Sequence, residues 1–280
     1  RVWRRTALFL EVCDQKMSHR RKELVRLPDD KKCLYLPEMT WPEVKAALPD
    51  IKMAIIPVGS TEQHGPHGTF QMDTAESREF AKRLGERLYP HALVAPVVPI
   101  GISGHHMHFP GTITLQAETL ISLLMDMAKS FHAHGIRRFF FANGHGGNTP
   151  ALTIVCNRIK HEMGCPAAWA TLPYSAVGDI TRKYVTSETS GHSCEGEISI
   201  MLYLWPDAVR TEALTAGEIV RATRERAVQS PWASEAHFFD EVTANGCLGD
   251  ATKASAEIGR ELVETGLDRA LTYLKAFMEL

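Results

Sequence analysis

The sequence predicts an α/β fold built on a largely parallel sheet with helices over both faces. Two observations carry this expectation. Short apolar runs, Ala54–Val58, Arg138–Ala142 and Ala167–Leu172, read as buried strands and are followed by Gly59, Asn143 and Pro173. Polar loops and then segments of helical spacing follow such runs, so that strand, loop and helix recur four times. In such sheets ligands bind outside the carboxyl ends of the strands, so loops that directly follow strands are where chemistry is expected.

Taken in order, residues 1–33 are basic and polar, with Arg20-Arg21-Lys22 and Asp29-Asp30-Lys31-Lys32, and show no sustained periodicity. They are expected to be a mobile extension outside one domain spanning 34–280. Thr40 caps a helix over Trp41–Leu48, with Pro42 in its first turn. After the Ala54–Val58 strand and its loop comes an amphipathic helix over Thr74–Leu88, with Ala75, Phe80, Ala81, Leu84 and Leu88 on one face. Ala92–Ile100 is a second apolar run, ahead of a Gly- and His-rich loop over 101–114. Gln116–His134 aligns Leu120, Leu123, Leu124, Met127 and Phe131, and Gly135 stops it. The Arg138–Ala142 strand runs into Asn143-Gly144-His145-Gly146-Gly147-Asn148 and a helix over Thr149–Met163. The Ala167–Leu172 strand leads to a loop over 173–191. Helices over about Cys194–Leu204 and about Lys253–Met278 complete the core.

Composition narrows the function. The chain has 280 residues, 44% hydrophobic and 23% charged, as in an ordinary globular protein with a sizeable core. A net charge of −2 gives no argument for nucleic acid or an anionic membrane surface, and neither is expected as a partner. No apolar run approaches the roughly 20 residues of a membrane helix. Arg1-Val2-Trp3-Arg4-Arg5 before Thr6–Leu10 has the outline of a signal peptide, but Glu11 and Asp14 interrupt it and no small-residue cleavage site follows. A cytoplasmic location is expected. The six cysteines show no CxxC pair and no disulfide-framework spacing. Of 13 histidines, several gather at 64 and 67, at 105, 106 and 108, and at 145 and 192.

The stretch Ala54–Asp73 concentrates the chemistry. A buried strand ends at Gly59, and the loop beyond carries Glu62, His64, His67 and Asp73, the oxygen and nitrogen donors that a divalent cation requires. Asp73 lies just before a helix, where its two oxygens can bridge two cations. His145 also follows a strand, between glycines that allow a sharp turn and close approach. Asn143 and Asn148 can tie that turn to itself. In Gly191-His192-Ser193-Cys194-Glu195-Gly196-Glu197, a histidine and two glutamates open an apolar helix. Glu195 precedes Ile198 by three and Glu197 precedes Met201 by four, so helical spacing turns either one inward.

Together these segments resemble the creatininase (creatinine amidohydrolase) family over roughly residues 36–278. The resemblance rests on PVGSTEQHGPH at 57–67 with Asp73 beyond it, HFPGTITL at 108–115, NGHGGN at 143–148, and the His192–Glu197 segment. Gly249-Asp250-Ala251 is a weaker echo of the family's Gly-Asp-Pro. The resemblance implies a three-layer α/β/α sandwich and two divalent ions per chain, zinc or manganese, with iron as a further option. It implies hydrolysis of a cyclic amide or formamide-type C–N bond of a small polar molecule, and a homo-oligomer, commonly a hexamer. By motif, Glu62, Asp73 and His145 hold one ion, and His64 and Asp73 the other. His192 moves protons beside the substrate, and Glu197 supports the site.

Two departures shape the expectation. Creatininase resembles NGHYEN in the third motif, with a glutamate ligand where this chain has Gly147; Glu195 is the expected replacement. The substrate-facing tryptophans of creatininase align with Ser175 and Glu188, so creatinine is not the expected substrate. Ser175, His106 and His108 are placed as substrate contacts, the histidines alternatively capping the loop before Phe109-Pro110-Gly111. Water whose pKa two cations bring toward neutrality is the expected nucleophile, with His192 as proton shuttle. Two further readings stay open: a metal-dependent hydrolase, isomerase or lyase acting on a cyclic sugar or inosose, and a non-catalytic oligomer binding a small molecule.

Overall fold

The computed structural model describes residues 33–221, 223 and 235–279. The expected N-terminal extension therefore lies, apart from Cys33, outside the described residues. Five strands form one sheet: β1 (Leu34–Tyr35), β2 (Met53–Val58), β3 (Ala92–Val94), β4 (Phe139–Asn143) and β5 (Ala167–Thr171). Their order is β1-β3-β2-β4-β5, and every pairing is parallel. All six residues of the central strand β2 are buried, as an unbroken apolar run in a doubly covered sheet should be. Pro57 is tolerated there because its carbonyl accepts from Val98 N–H at 3.0 Å. The missing N–H thus faces the side on which β3 has already ended.

The helices are α1 (Trp41–Ala47), α2 (Met72–Arg87), α3 (Ala117–Ala133), α4 (Thr149–Met163), α5 (Tyr174–Tyr184), α6 (Glu195–Leu204) and α7 (Ala256–Glu279). Alternation along the strands splits the core in two. Met53, Ile55, Phe140 and Ala142 pack on one face against Phe80 and Leu84 of α2, Ile200 of α6 and Leu262 and Leu267 of α7. Ala54, Ile56, Phe139 and Phe141 pack on the other against Leu120 and Leu124 of α3 and Leu152 and Val155 of α4. This is the three-layer α/β/α arrangement. The capping box at α1 is present, with Glu43 Oε2 accepting from Thr40 N at 2.6 Å.

Two elements go beyond the sequence reading. β1 is a two-residue edge strand, and α5 occupies part of the expected 173–191 loop. Among the described residues no helix is long and apolar enough to cross a membrane. The sheet order sets the site. The chain leaves β2 into α2 on one face and β4 into α4 on the other, so a crevice opens between the carboxyl ends of these neighbouring strands.

Candidate metal centre

The loops after β2 and β4 meet in that crevice. Glu62 is buried, and its Oε2 accepts from Ser103 Oγ at 2.5 Å and Ser60 Oγ at 3.4 Å, leaving Oε1 open. His64 Nδ1 donates to the Glu62 carbonyl at 3.2 Å, so its Nε2 carries the lone pair. That atom stands 3.0 Å from Asp73 Oδ1 and 3.7 Å from Glu197 Oε1. His145 Nε2 donates to the Ile102 carbonyl at 3.0 Å, which leaves Nδ1 facing Glu62 Oε1 at 3.1 Å and Asp73 Oδ2 at 3.3 Å. Each imidazole thus spends one nitrogen on a backbone carbonyl and aims the other at carboxylates, the outer-sphere pattern of metal-ligating histidines.

The local sequence explains the convergence. Gly144 lies against the main chain of Asp73, where a Cβ would overlap the Asp73 carbonyl oxygen; only glycine lets the β4 turn close on the first turn of α2. Asn143 Nδ2 donates to the His145 carbonyl at 2.6 Å. Asn148 Nδ2 donates to the Gly59 carbonyl at 3.0 Å and its Oδ1 accepts from Ile102 N at 2.9 Å, tying three loops together.

The donor set fits a cation. Nε2 of His64 and Oδ2 of Asp73 are buried with no hydrogen-bond partner. Donors about 2.0–2.2 Å from one shared ion stand roughly 3–3.7 Å from each other, the range seen here. Without an ion, protons fill the gap. Burial lowers the pKa of His145, but the Glu62 charge and the Asp73 contact outweigh it and carry it up to about 10. Burial likewise opposes protonation of His64, and Asp73 and Glu197 push its pKa well up. Asp73, which burial alone would raise, is held far below the carboxylate range by His64 and His145. Mixed imidazole and carboxylate donors suit zinc, manganese or iron.

The expected Glu195 ligand is not brought to this cluster. Glu195 Oε1 accepts from Ser187 N at 3.1 Å and Ser187 Oγ at 2.7 Å, and Oε2 from Asp250 N at 2.8 Å. Both oxygens bind loops on the far side of the first turn of α6. Glu197 faces the cluster instead, with Oε2 held by the Ser193 amide and Oε1 toward His64. Burial would raise its pKa, but His64 keeps it below the usual value. Ser193 sits at φ 51°, a left-handed conformation costly to a residue with a Cβ. Its Oγ contacts with the His64 carbonyl at 2.7 Å and His67 Nε2 at 2.8 Å hold it there and fix the entry to α6.

His192 is buried beside the cluster. Its Nε2 donates to the Gln63 carbonyl at 2.7 Å, and Nδ1 is 3.7 Å from Glu62 Oε1. Burial first, and then the His64 charge, lower its pKa and keep it neutral. His106 is buried with Nε2 3.5 Å from Glu62 Oε1, and its ring stacks on Phe239 at 4.2 Å. His108 is placed elsewhere: half-exposed, it pairs with Asp240 at 2.9 Å and stacks on Phe238 at 3.9 Å. Its ring turned outward because Phe238 and Asp240 hold it from the rim. Ser175 is exposed on α5, while its neighbour Tyr174 lines the adjoining cavity.

That cavity has a volume of about 310 Å³ and is bounded by Gly144, Gly146, Thr171, Tyr174, Ser190 and Glu197 among others. Gly146 leaves open space where a side chain would stand, whereas a Cβ at Gly147 would strike the Ile102 carbonyl and the His145 ring. Three participants escaped the sequence reading. His105 groups with Glu62 and His145, and the 105–108 histidine run signalled it. Gln63, between two candidate ligands, hydrogen-bonds to His106 Nδ1 at 2.9 Å. Phe239 closes over His106 and His192, and nothing in the sequence around it marks it.

The creatinine amidohydrolase family model matches residues 37–274. A mycofactocin precursor peptide peptidase of Mycobacterium ulcerans (strain Agy99) is 34% identical over 242 residues, 82% of this chain and 83% of that protein. A 3-dehydro-scyllo-inosose hydrolase of Thermotoga maritima is 31% identical over 269 residues, 88% of this chain and 84% of that protein. A Zn–Zn form of a mutant creatininase superposes with a TM-score of 0.76 at 25% identity, over 89% of this chain and 99% of the other. With this fold and this donor cluster, the chain belongs to the creatininase family of metal-dependent amidohydrolases.

Proposed function

We propose that the protein is a two-metal amidohydrolase that cleaves an amide C–N bond in a small, uncharged, peptide-derived molecule. One observation carries the reading: the two oxygens of Asp73 face different histidines, Oδ1 toward His64 at 3.0 Å and Oδ2 toward His145 at 3.3 Å, as a bridging carboxylate would. In this reading Glu62, Asp73 and His145 would hold one ion, and His64, Asp73 and Glu197 the other. Zinc or manganese is the expected metal, and a creatininase is known in a Zn–Zn form. When bound, such a pair supplies Lewis acidity that polarises a carbonyl and brings the pKa of water toward neutrality.

The chain's own groups do the rest. His192, neutral and with Nδ1 open toward Glu62, accepts a proton and returns it to the leaving nitrogen. Glu195 holds the loops at Ser187 and Asp250 against α6 and so keeps Glu197 in place. The cavity seats the substrate. No lysine or arginine among the described residues lines it, which favours an uncharged molecule over a nucleotide or another phosphorylated compound. Support for a peptide-derived substrate comes from the peptidase relative. The inosose hydrolase relative keeps a second reading, a metal-dependent hydrolase acting on a cyclic sugar or inosose, in the same uncharged class. A homo-oligomer, hexameric as the family resemblance implies, and a cytoplasmic location complete the proposal. Five free cysteines among the described residues agree with a reducing compartment.

The test is a purified protein reconstituted with zinc or manganese and offered short peptides, cyclic amides, inososes, creatinine and formylated nucleotides. Turnover of a cyclic amide or an end-blocked short peptide, abolished by chelation and restored by metal, is the expected result. Creatinine turnover should be negligible. Exclusive turnover of inososes would favour the second reading, and absence of bound metal after reconstitution would remove both.

A further inference from the structure

We propose that Gln63 is a positioning residue that sets the hydrogen-bonding identity of two site histidines, holding His106 as an N–H donor at Nε2 and His192 as a proton acceptor at Nδ1. Its chemical purpose rests on the two-metal reading above, but its geometry uses protein groups alone.

Backbone groups decide the orientation of the Gln63 amide, since a peptide N–H cannot accept and a peptide carbonyl cannot donate. Gly65 N lies 2.8 Å from one terminal atom, which must be Oε1. The Gly246 carbonyl lies 3.1 Å from the other, which must be Nε2. Gln63 Nε2 therefore has two hydrogens to place and three neighbours: the Gly246 carbonyl, His106 Nδ1 at 2.9 Å and His192 Nε2 at 3.2 Å. His192 Nε2 is excluded as an acceptor, because it also lies 2.7 Å from the Gln63 carbonyl and must carry a hydrogen to make that contact. One Gln63 hydrogen goes to Gly246 and the other to His106 Nδ1. His106 Nδ1 is then an acceptor, so the proton of this ring sits on Nε2, 3.5 Å from Glu62 Oε1. His192 is the same Nε2–H tautomer, but it turns its other nitrogen to Glu62, so that Nδ1 with its lone pair stands 3.7 Å from Oε1.

The consequence separates the histidines by role. His64 and His145 aim at the carboxylates the nitrogens whose lone pairs would be free for a cation, whereas His106 directs an N–H at Glu62. His106 is thus a donor beside the centre, not one of its ligands, although Glu62, His106 and His192 stand close enough to hold an ion. The stack of His106 on Phe239, at 4.2 Å and 28°, keeps the ring from turning over.

Long-range proton–nitrogen NMR of the imidazole rings, with His106 assigned through its backbone, reads the tautomer directly in metal-free and zinc-loaded protein. The expected spectrum shows His106 neutral, protonated at Nε2 only, in both states. His106 protonated at Nδ1, or an Nε2–H signal that vanishes on zinc loading, would overturn the proposal. Zinc content of the wild type, measured on the same sample, reports separately on the two-metal reading. H106F should keep the wild-type zinc stoichiometry, and loss of one equivalent would make His106 a ligand after all. Q63L should leave His106 in a mixture of tautomers, while an unchanged His106 spectrum in that variant would remove Gln63 from the role. Should Q63L not fold, the wild-type spectrum alone decides the tautomer.

Discussion

Glu197 has one oxygen held by the Ser193 amide and the other 3.7 Å from His64 Nε2, whereas both oxygens of Glu195 are spent on Ser187 and Asp250. Replacing Glu197 by Gln should therefore lower bound metal from two equivalents toward one, and elemental analysis checks it. E195Q should keep both ions and cost about 1–3 kcal/mol of stability through its broken hydrogen bonds. The opposite pattern would restore Glu195 as the ligand. Helical spacing in the sequence ranks the two carboxylates almost equally, because each shares a stripe with an apolar residue. Their partners at Ser187 and Asp250 come from loops that no local pattern brings together, so this choice was not legible. By contrast Glu62, His64, Asp73 and His145 were legible, since a strand followed by a turn and donor residues places them at one sheet edge. The protons these groups hold make a further expectation. The His145 pKa is raised from 6.5 to about 10, so its contribution to metal-free stability is full below about pH 6.5 and is lost as the pH climbs toward 10. Asp73 acts in the opposite sense, its contribution present above its ordinary 3.8 and lost as the pH falls well below that value. Metal-free protein should unfold at its highest temperature between these limits. Zinc must displace the protons, so its affinity should rise steeply between about pH 6 and pH 8. A flat affinity over that range, in competition with a chelator, would mean that other groups bind the metal.

At the level of elements, the turn after β4 depends on one missing side chain. Gly144 touches the Asp73 main chain at the start of α2, so a methyl group there must push the two loops apart. G144A should destabilise the fold by about 1–3 kcal/mol and weaken metal binding at the same time. Calorimetry and metal titration read the two effects, and a variant that binds metal normally would show that the loops need not touch. Most elements were legible because periodicity is local: α4 spans Thr149–Met163, as expected. Helix α5 was not, although Val177, Ile180 and Tyr184 have helical spacing. Its backbone leaves the helical region at Val177, with φ −129° and ψ 21°, next to Gly178, so the element is a kinked helix and not one regular repeat. β1 was too short, at two residues, to have a period. It exists because β3 offers an edge for Leu34 and Tyr35 to pair with.

For the molecule as a whole, the strand order joins what the chain keeps far apart. Glu62 and Asp73 leave β2, His145 leaves β4, and Glu197 arrives on α6, and all meet because β2 and β4 are neighbours whose helices depart to opposite faces. Parallel pairing was readable from the alternation of strands and helices, but the order of the strands was not, since it is decided by contacts across the whole chain. An ion bound at this meeting point ties both helical layers to the sheet edge, and it is lost when the fold opens. Any ligand that binds only the native state adds RT ln(1 + [L]/Kd), about 4 kcal/mol at a thousandfold excess over Kd. At roughly 2–4 °C per kcal/mol for a domain of this size, saturating zinc should raise the unfolding temperature by about 8–16 °C over chelated protein. The shift should exceed that of E197Q, which leaves one ion to hold the edge. Scanning calorimetry with and without chelator measures it. If chelation leaves the unfolding temperature of the wild type unchanged, the donors around Asp73 do not hold a metal in the folded protein. Their clustered charges would then be a proton-bridged network, and the two-metal mechanism would have to be abandoned.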